Sequence, residues 1–154
     1  MIGLILCAGK GTRMLESLRE VPKCMADVGG KPVLERVANH LEKNGVKKII
    51  VNLHSSPQMV MDYFGQRFMY LYEPVPMGEF ATVSLIRSWF PGEKILAVNG
   101  DTLTDFWVFE QTGEHNGFTQ YNEDGEPIMF TGGEFIDIGT PKGLKKARKK
   151  YEKK

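Results

Sequence analysis

The chain has 154 residues, 42% of them apolar and 25% charged, and a formal net charge of +1. That length suits a single domain with a substantial core, and the composition excludes a disordered or fibrous chain. No apolar run approaches the roughly 18 residues of a membrane span, and the start MIGLILCAG lacks the basic segment and long apolar stretch of a secretory signal.

The stretch IGLILC (2–7) reads as a buried strand that runs into the small-residue loop AGKGTRM (8–14). KPVLERVANHLEKNG (31–45) reads as a helix: Pro32 suits its first turn, Leu34, Val37, Ala38 and Leu41 share one face, and Gly45 stops it. VKKIIVNL (46–53) is a second strand, and Ser56 is expected to cap a short helix, PQMVMDYFG (57–65), with Pro57 in its first turn. RFMYLYEP (67–74) is a third strand, GEFATVSLIRSWF (78–90) a helix closed by Pro91 and Gly92, and EKILAVNGD (93–101) a fourth strand. Beyond Asp105 the rhythm weakens. GFTQYNEDGEPIMF (117–130) reads as a hairpin around Asp124 and Gly125, GEFIDIG (133–139) as a short strand, and PKGLKKARKKYEKK (141–154) as a final helix. Strands alternating with helices predict an α/β fold, a Rossmann-like three-layer α/β/α sandwich around a mostly parallel sheet. No repeat or low-complexity linker interrupts residues 1–154, so one domain is expected.

The last 13 residues carry eight basic side chains and one acidic, which leaves the first 141 with a net charge of −6. A basic tail can bind nucleic acid or acidic lipid. A solvated helix with Leu144, Ala147 and Tyr151 as its apolar seam is the preferred reading, because no aromatic stacking platform accompanies the lysines. Cys7 and Cys24 lack metal-ligand spacing and nothing suggests an oxidising compartment, so a cytoplasmic protein without a membrane or nucleic-acid partner is expected.

In sheets of this kind the ligand lies beyond the carboxyl ends of the strands. The segments to weigh are therefore AGKGTRM, EPVPMGE and NGDTLTD. Gly9 and Gly11 let backbone N–H groups approach an anion, and Arg13 offers a planar fork of donors matched to phosphate oxygens. Taken on its own, the loop is better explained as a solvated glycine-rich turn. It is not a Walker A loop, and Met14 stands where a dinucleotide fingerprint needs its third glycine. Asp101 is open to reading as a turn residue or a metal ligand, and Asp137 as a helix cap or a metal ligand.

Read together, AGKGTRM, VPKCMADVGGKPVLERV, VNLHSSPQMVMDYFG, NGDTLTD and FIDIGTPKGLKKA resemble, in order, the signature of the sugar-phosphate nucleotidyltransferases. These are guanylyl-, uridylyl-, thymidylyl- and cytidylyltransferases that activate sugar 1-phosphates. The resemblance runs from Met1 to about Ala147. It implies that Leu6, Ala8, Gly9, Lys10, Gly11, Thr12, Met77 and Gly78 bind a nucleoside triphosphate. It implies that Arg13 braces the β- and γ-phosphates and that Lys23 holds the α-phosphate beside the incoming phosphate. Asp101 and Asp137 would hold Mg²⁺, with Arg13, Lys23 and Asp101 as the catalytic set. The three histidines, His40, His54 and His115, have no part in such chemistry, because the acceptor phosphate is already an anionic nucleophile.

Two departures stand out. Only 35 residues separate Asp101 from Asp137, where relatives spend far more chain on the sugar pocket. Residues 1–105 therefore read as an intact nucleotide-binding part, 106–141 as a reduced acceptor-binding part with Gly132, Gly133 and Glu134 as candidates, and 142–154 as the basic helix. A turn before the last strand explains those three residues as well. In EPVPMGEFATV, Glu79 and Phe80 replace the small pair usual in the family. Glu79 can accept from a guanine edge or merely begin a helix. The wording of NGDTLTD leans toward guanylyltransferases. The alternatives are transfer to a smaller phosphate such as phosphocholine, and a non-catalytic nucleotide-binding subunit. Self-association is left open.

Overall fold

The computed structural model describes residues 1–9, 21–104, 118–121, 127–129 and 134–152. β1 (Ile2–Leu6), β2 (Lys48–Leu53), β3 (Met69–Tyr72) and β4 (Ile95–Asn99) are parallel neighbours in one sheet. β5 (Thr102–Thr104) leaves that sheet, and β6 (Phe118–Tyr121) and β7 (Pro127–Met129) continue it antiparallel. The resulting order is β3-β2-β1-β4-β6-β7. α1 (Val33–Lys43), α2 (Pro57–Phe64) and α3 (Glu79–Trp89) connect the parallel strands, and α4 (Pro141–Tyr151) closes the chain.

The parallel strands are apolar at nearly every position because both faces of the sheet are covered. Alternate residues divide between two cores. Ile5, Ile49, Val51, Leu53, Leu96 and Val98 meet α1, α2 and α4 through Leu34, Leu41, Phe64, Leu144 and Ala147. Ile2, Leu4, Ile50, Ile95 and Ala97 meet α3 through Val83 and Ile86 on the other face. That partition is the three-layer sandwich expected from the alternation of strands and helices. All four residues assigned to the inner face of α1 are buried, as are Leu144 and Ala147 of α4. Tyr151 completes the seam of α4, its ring lying 4.1 Å beneath the Arg36 guanidinium.

One local expectation needs correction, and one strand goes unforeseen. Ser56 lies at the start of α2 but adopts φ 45°, and its side chain makes no capping hydrogen bond. Pro57 supplies the preset φ that begins that helix. The sequence reading names no strand directly after β4, yet β5 forms there and pairs antiparallel with β8 (Phe135–Asp137), the short strand expected at GEFIDIG, in a separate two-stranded sheet. A three-residue strand is too short for periodicity to reveal. The expected hairpin exists as β6 and β7, with Thr119 opposite Met129, while its Asp124-Gly125 tip lies outside the described residues. Among the described residues, no helix is long and apolar enough to cross a membrane.

Candidate functional site

The carboxyl ends of β1, β2, β3 and β4 open into a pocket of about 400 Å³. Leu6, Ala8 and Gly9 line it after β1, Asn52 and Glu73 at the ends of β2 and β3, and Asn99, Gly100 and Asp101 after β4. Lys23 and Cys24 close one side from a 3₁₀ turn, Lys23–Met25, and Pro76, Gly78 and Glu79 close the other. Of the residues assigned to the nucleotide, Met77 is half exposed beside this wall and gives its N–H to Glu73 at 2.9 Å. Lys10, Gly11, Thr12 and Arg13 lie outside the described residues, as do Gly132, Gly133 and His115.

The charged end of the pocket is assembled from three distant segments. In the β5–β8 ladder Thr102 stands opposite Asp137, and Ile138 N–H donates to the Asp101 carbonyl at 2.9 Å. This pairing carries the two aspartates to one place although 36 positions separate them in sequence. Gly139 sits between them. A Cβ on Gly139 would stand 2.9 Å from Asp101 Oδ2, 2.9 Å from Asp137 Oδ1 and 3.3 Å from Lys23 Nζ. Lys23 Nζ lies 3.6 Å from Asp101 Oδ2. Two carboxylates and one ammonium thus converge beside Gly139, where any side chain would crowd them.

The two carboxylates are of the type that could hold a hard divalent cation. Magnesium takes oxygen ligands at about 2.1 Å, and typically one or two carboxylates hold it while substrate phosphates and waters complete its shell. Asp101 and Asp137 are the two carboxylates here, and among the described residues no group of three or more His, Cys, Asp or Glu is gathered. The backbone holds the cradle firmly. Gly139 N–H donates to Asp137 Oδ1 at 2.7 Å, and Thr140 caps α4 by accepting from Gly143 N–H at 3.1 Å. Gly143 itself packs so closely that a Cβ there would overlap the Asp137 carbonyl. Thr140, rather than Asp137, is therefore the cap of the last helix. Glu134 pairs instead with Lys146 at 3.0 Å and with Lys150, tying the start of β8 to the basic face of α4.

At the other end lies a buried polar network that the sequence reading misses. Asn52 accepts from Cys7 N–H at 2.6 Å and donates to Glu73 Oε1 at 2.9 Å. Glu73 is 2% exposed and also accepts from Thr82 Oγ1 at 2.7 Å and from Met77 N–H. His54 Nδ1 hydrogen-bonds the Glu73 carbonyl at 2.9 Å, a structural role in keeping with its exclusion from the chemistry. The network binds the ends of β1, β2 and β3 to the loop that precedes α3. An asparagine closing an apolar strand and a glutamate directly after the next are the signals that could have found it. The hydrogen bond that the Cys7 thiol gives to Cys24, together with burial, pushes that thiol well above its ordinary range and disfavours the thiolate.

Burial alone would raise the Glu73 carboxyl, but its hydrogen bonds with Asn52, Met77 and Thr82 hold it below the usual carboxylate range. A carboxylate with a lowered folded pKa adds stability above its unfolded pKa and loses it as pH falls through the folded value. Glu73→Gln is expected to cost about 2 kcal/mol at neutral pH, since the amide nitrogen cannot accept from a donor. Urea denaturation should show that difference shrinking below about pH 4, where glutamate ordinarily protonates. A difference that stayed constant with pH would exclude an ionised Glu73.

Residues 3–107 match the family model of the MobA-like NTP transferase domain. A D-glycero-alpha-D-manno-heptose 1-phosphate guanylyltransferase of Campylobacter jejuni is 31% identical over 110 residues, which are 68% of this chain and 49% of that protein. An N-acetylmuramate alpha-1-phosphate uridylyltransferase of Neisseria meningitidis is 34% identical over 112 residues, covering 68% of this chain and 48% of that protein. The chain thus spans about half the length of these curated relatives. Among solved structures, HddC from Yersinia pseudotuberculosis complexed with GMP-PN superposes with a TM-score of 0.76 at 21% identity, covering 97% of this chain and 99% of that one. A UDP-glucose pyrophosphorylase from Acinetobacter baumannii gives a TM-score of 0.76 at 15% identity, with 98% and 93% covered. These two likenesses establish the α/β fold.

Proposed function

The chain belongs to the MobA-like NTP transferase family, and on that premise we propose that it transfers a nucleotidyl group from a nucleoside triphosphate to a sugar 1-phosphate. Pyrophosphate is the other product, guanine the favoured base and magnesium the cofactor. The observation that carries this reading is the convergence of Lys23, Asp101 and Asp137 beside Gly139, with Lys23 and Asp101 also lining the pocket formed by the strand ends. A structural role alone would not require three charged groups around a glycine.

In the reaction an acceptor phosphate oxygen bonds to the α-phosphorus as the bond from that phosphorus to the bridging oxygen of pyrophosphate breaks. The acceptor is already an anion, so the chain needs no general base. Magnesium, held by Asp101 and Asp137, would supply charge neutralisation at the α-phosphate. Lys23 holds the α-phosphate and the acceptor phosphate together by offsetting their mutual repulsion. Arg13 serves the β- and γ-phosphates, and residues 8–12 wrap the triphosphate with backbone N–H groups. Leu6, Met77 and Gly78 serve the nucleoside. The reduced segment 106–141 takes the acceptor, with Gly132 and Gly133 as the candidates there, since Glu134 is engaged by Lys146 and Lys150.

Glu79 carries the preference for guanine. It lines the pocket at the start of α3. An ionised carboxylate only accepts hydrogen bonds, and guanine is the base whose pairing edge presents two adjacent donors, N1–H and the 2-amino group. Uracil flanks its one donor with carbonyls, and adenine and cytosine place an acceptor beside their amino group. Glu79→Gln should lower kcat/KM for GTP by about 30-fold, the scale of one bidentate base contact, with UTP little changed. A GTP-to-UTP ratio that stays the same in this variant would remove Glu79 from base selection. Guanylyl and uridylyl relatives match about equally well, so the base rests on Glu79.

A further inference from the structure

We propose that Lys23 is the resident counter-cation of the Asp101–Asp137 pair and keeps the nucleotide-free protein from holding a divalent cation. The inference rests on the magnesium reading above and concerns what the lysine does before substrate arrives. Asp101 Oδ2 and Asp137 Oδ1 both stand 2.9 Å from the point that a Cβ on Gly139 would occupy, and Lys23 Nζ stands 3.3 Å from the same point. The ammonium is also 3.6 Å from Asp101 Oδ2, and both of these side chains are largely shielded from solvent. A cation seated between the carboxylates would therefore lie a few ångströms from a second positive charge, where screening by salt is weak.

The pair carries two negative charges, and Lys23 already offsets one of them. A bare divalent ion must enter against the lysine or displace it from Asp101. A nucleoside triphosphate changes that balance, because its α-phosphate offers the ammonium another anionic partner. Lys23 then leaves the carboxylates to the metal at the moment its own charge is wanted on the phosphate. Metal and nucleotide would bind with positive coupling, and linkage makes that coupling reciprocal. The free protein would stay closed to divalent ions that arrive without nucleotide. This gives Lys23 a part in ordering the encounter as well as in the transfer.

The test is Mn²⁺ binding to the whole, nucleotide-free chain, read from the paramagnetic resonance of the unbound ion. Lys23→Gln should bind Mn²⁺ at least about tenfold more tightly than the unaltered protein, the scale of removing one charge at this distance. Lys23→Arg keeps the charge and should leave binding weak, which separates charge from side-chain identity. Adding Asp137→Asn to Lys23→Gln should abolish the gain. Equal affinities in the Gln variant and the parent, or a gain that survives loss of Asp137, would overturn the proposal. Failure of the parent to release pyrophosphate with any acceptor would count against the transfer reaction and leave this comparison unaffected.

Discussion

Asp101→Asn and Asp137→Asn should each lower turnover by about a thousandfold, the scale of losing a preorganised charge at the reacting phosphate. The fold should survive both changes. The Asp137→Asn variant keeps a side-chain oxygen that can accept from Gly139 N–H, a bond of 2.7 Å in the parent. The β5–β8 ladder is made by backbone groups that neither change alters. Asp101→Asn removes the Lys23 pair at 3.6 Å, but it also relieves the repulsion between two carboxylates facing one point. Opposed terms of this size should leave stability within about 1 kcal/mol of the parent. Pyrophosphate release at saturating substrate, measured beside a thermal midpoint, checks both halves. A folded variant that kept its rate within about tenfold of the parent would remove that aspartate from the reaction.

Gly139→Ala should have an effect nearly as large for a different reason. Its new methyl group would lie 2.9 Å from both carboxylate oxygens and 3.3 Å from Lys23 Nζ, closer than carbon packs against oxygen, so the charged groups must shift apart. Gly139 is not among the glycines with positive φ, so alanine suits its backbone. The cost should therefore fall on the site rather than on folding. A loss of about a hundredfold or more in turnover is expected, as misplacing groups by about 1 Å at a reacting centre commonly produces. Mn²⁺ affinity should fall in parallel in the Lys23→Gln background. An alanine variant with unchanged turnover would mean that the placement of these charged groups has no part in the reaction.

Much of this arrangement is legible without the structure. β1, β2 and β4 can be read because both faces of the sheet are buried there, so each is a largely apolar run, while β3 is a partly exposed edge strand read from its aromatic and apolar residues. α1 and α4 announce themselves through apolar seams at spacings of three and four, which the buried Leu34, Leu41, Leu144 and Ala147 realise. Asp101 and Asp137 can be named from their motifs, but no local signal joins them. Their meeting depends on the β5–β8 ladder, and a three-residue strand carries too little pattern to read. The family motif assigns Lys23 to phosphate, while its 3.6 Å approach to Asp101 follows only from folding the 3₁₀ turn against the end of β4. The Asn52–Glu73–Thr82 network is illegible for a related reason. Its members come from three elements, and each looks alone like a polar residue at the end of a strand or within a helix. Ser56 shows the opposite error. Its residue type is common at caps, but Pro57 begins α2 and leaves the hydroxyl without that role.

The most direct measurement is product analysis with magnesium, GTP and a panel of sugar 1-phosphates, with phosphocholine as one further acceptor. The account predicts pyrophosphate and a guanosine diphosphate sugar in equal amounts, dependent on one sugar 1-phosphate and lost on Asp137→Asn. A folded protein that leaves GTP and every other nucleoside triphosphate intact with all these acceptors, or hydrolyses them without regard to acceptor, would contradict it.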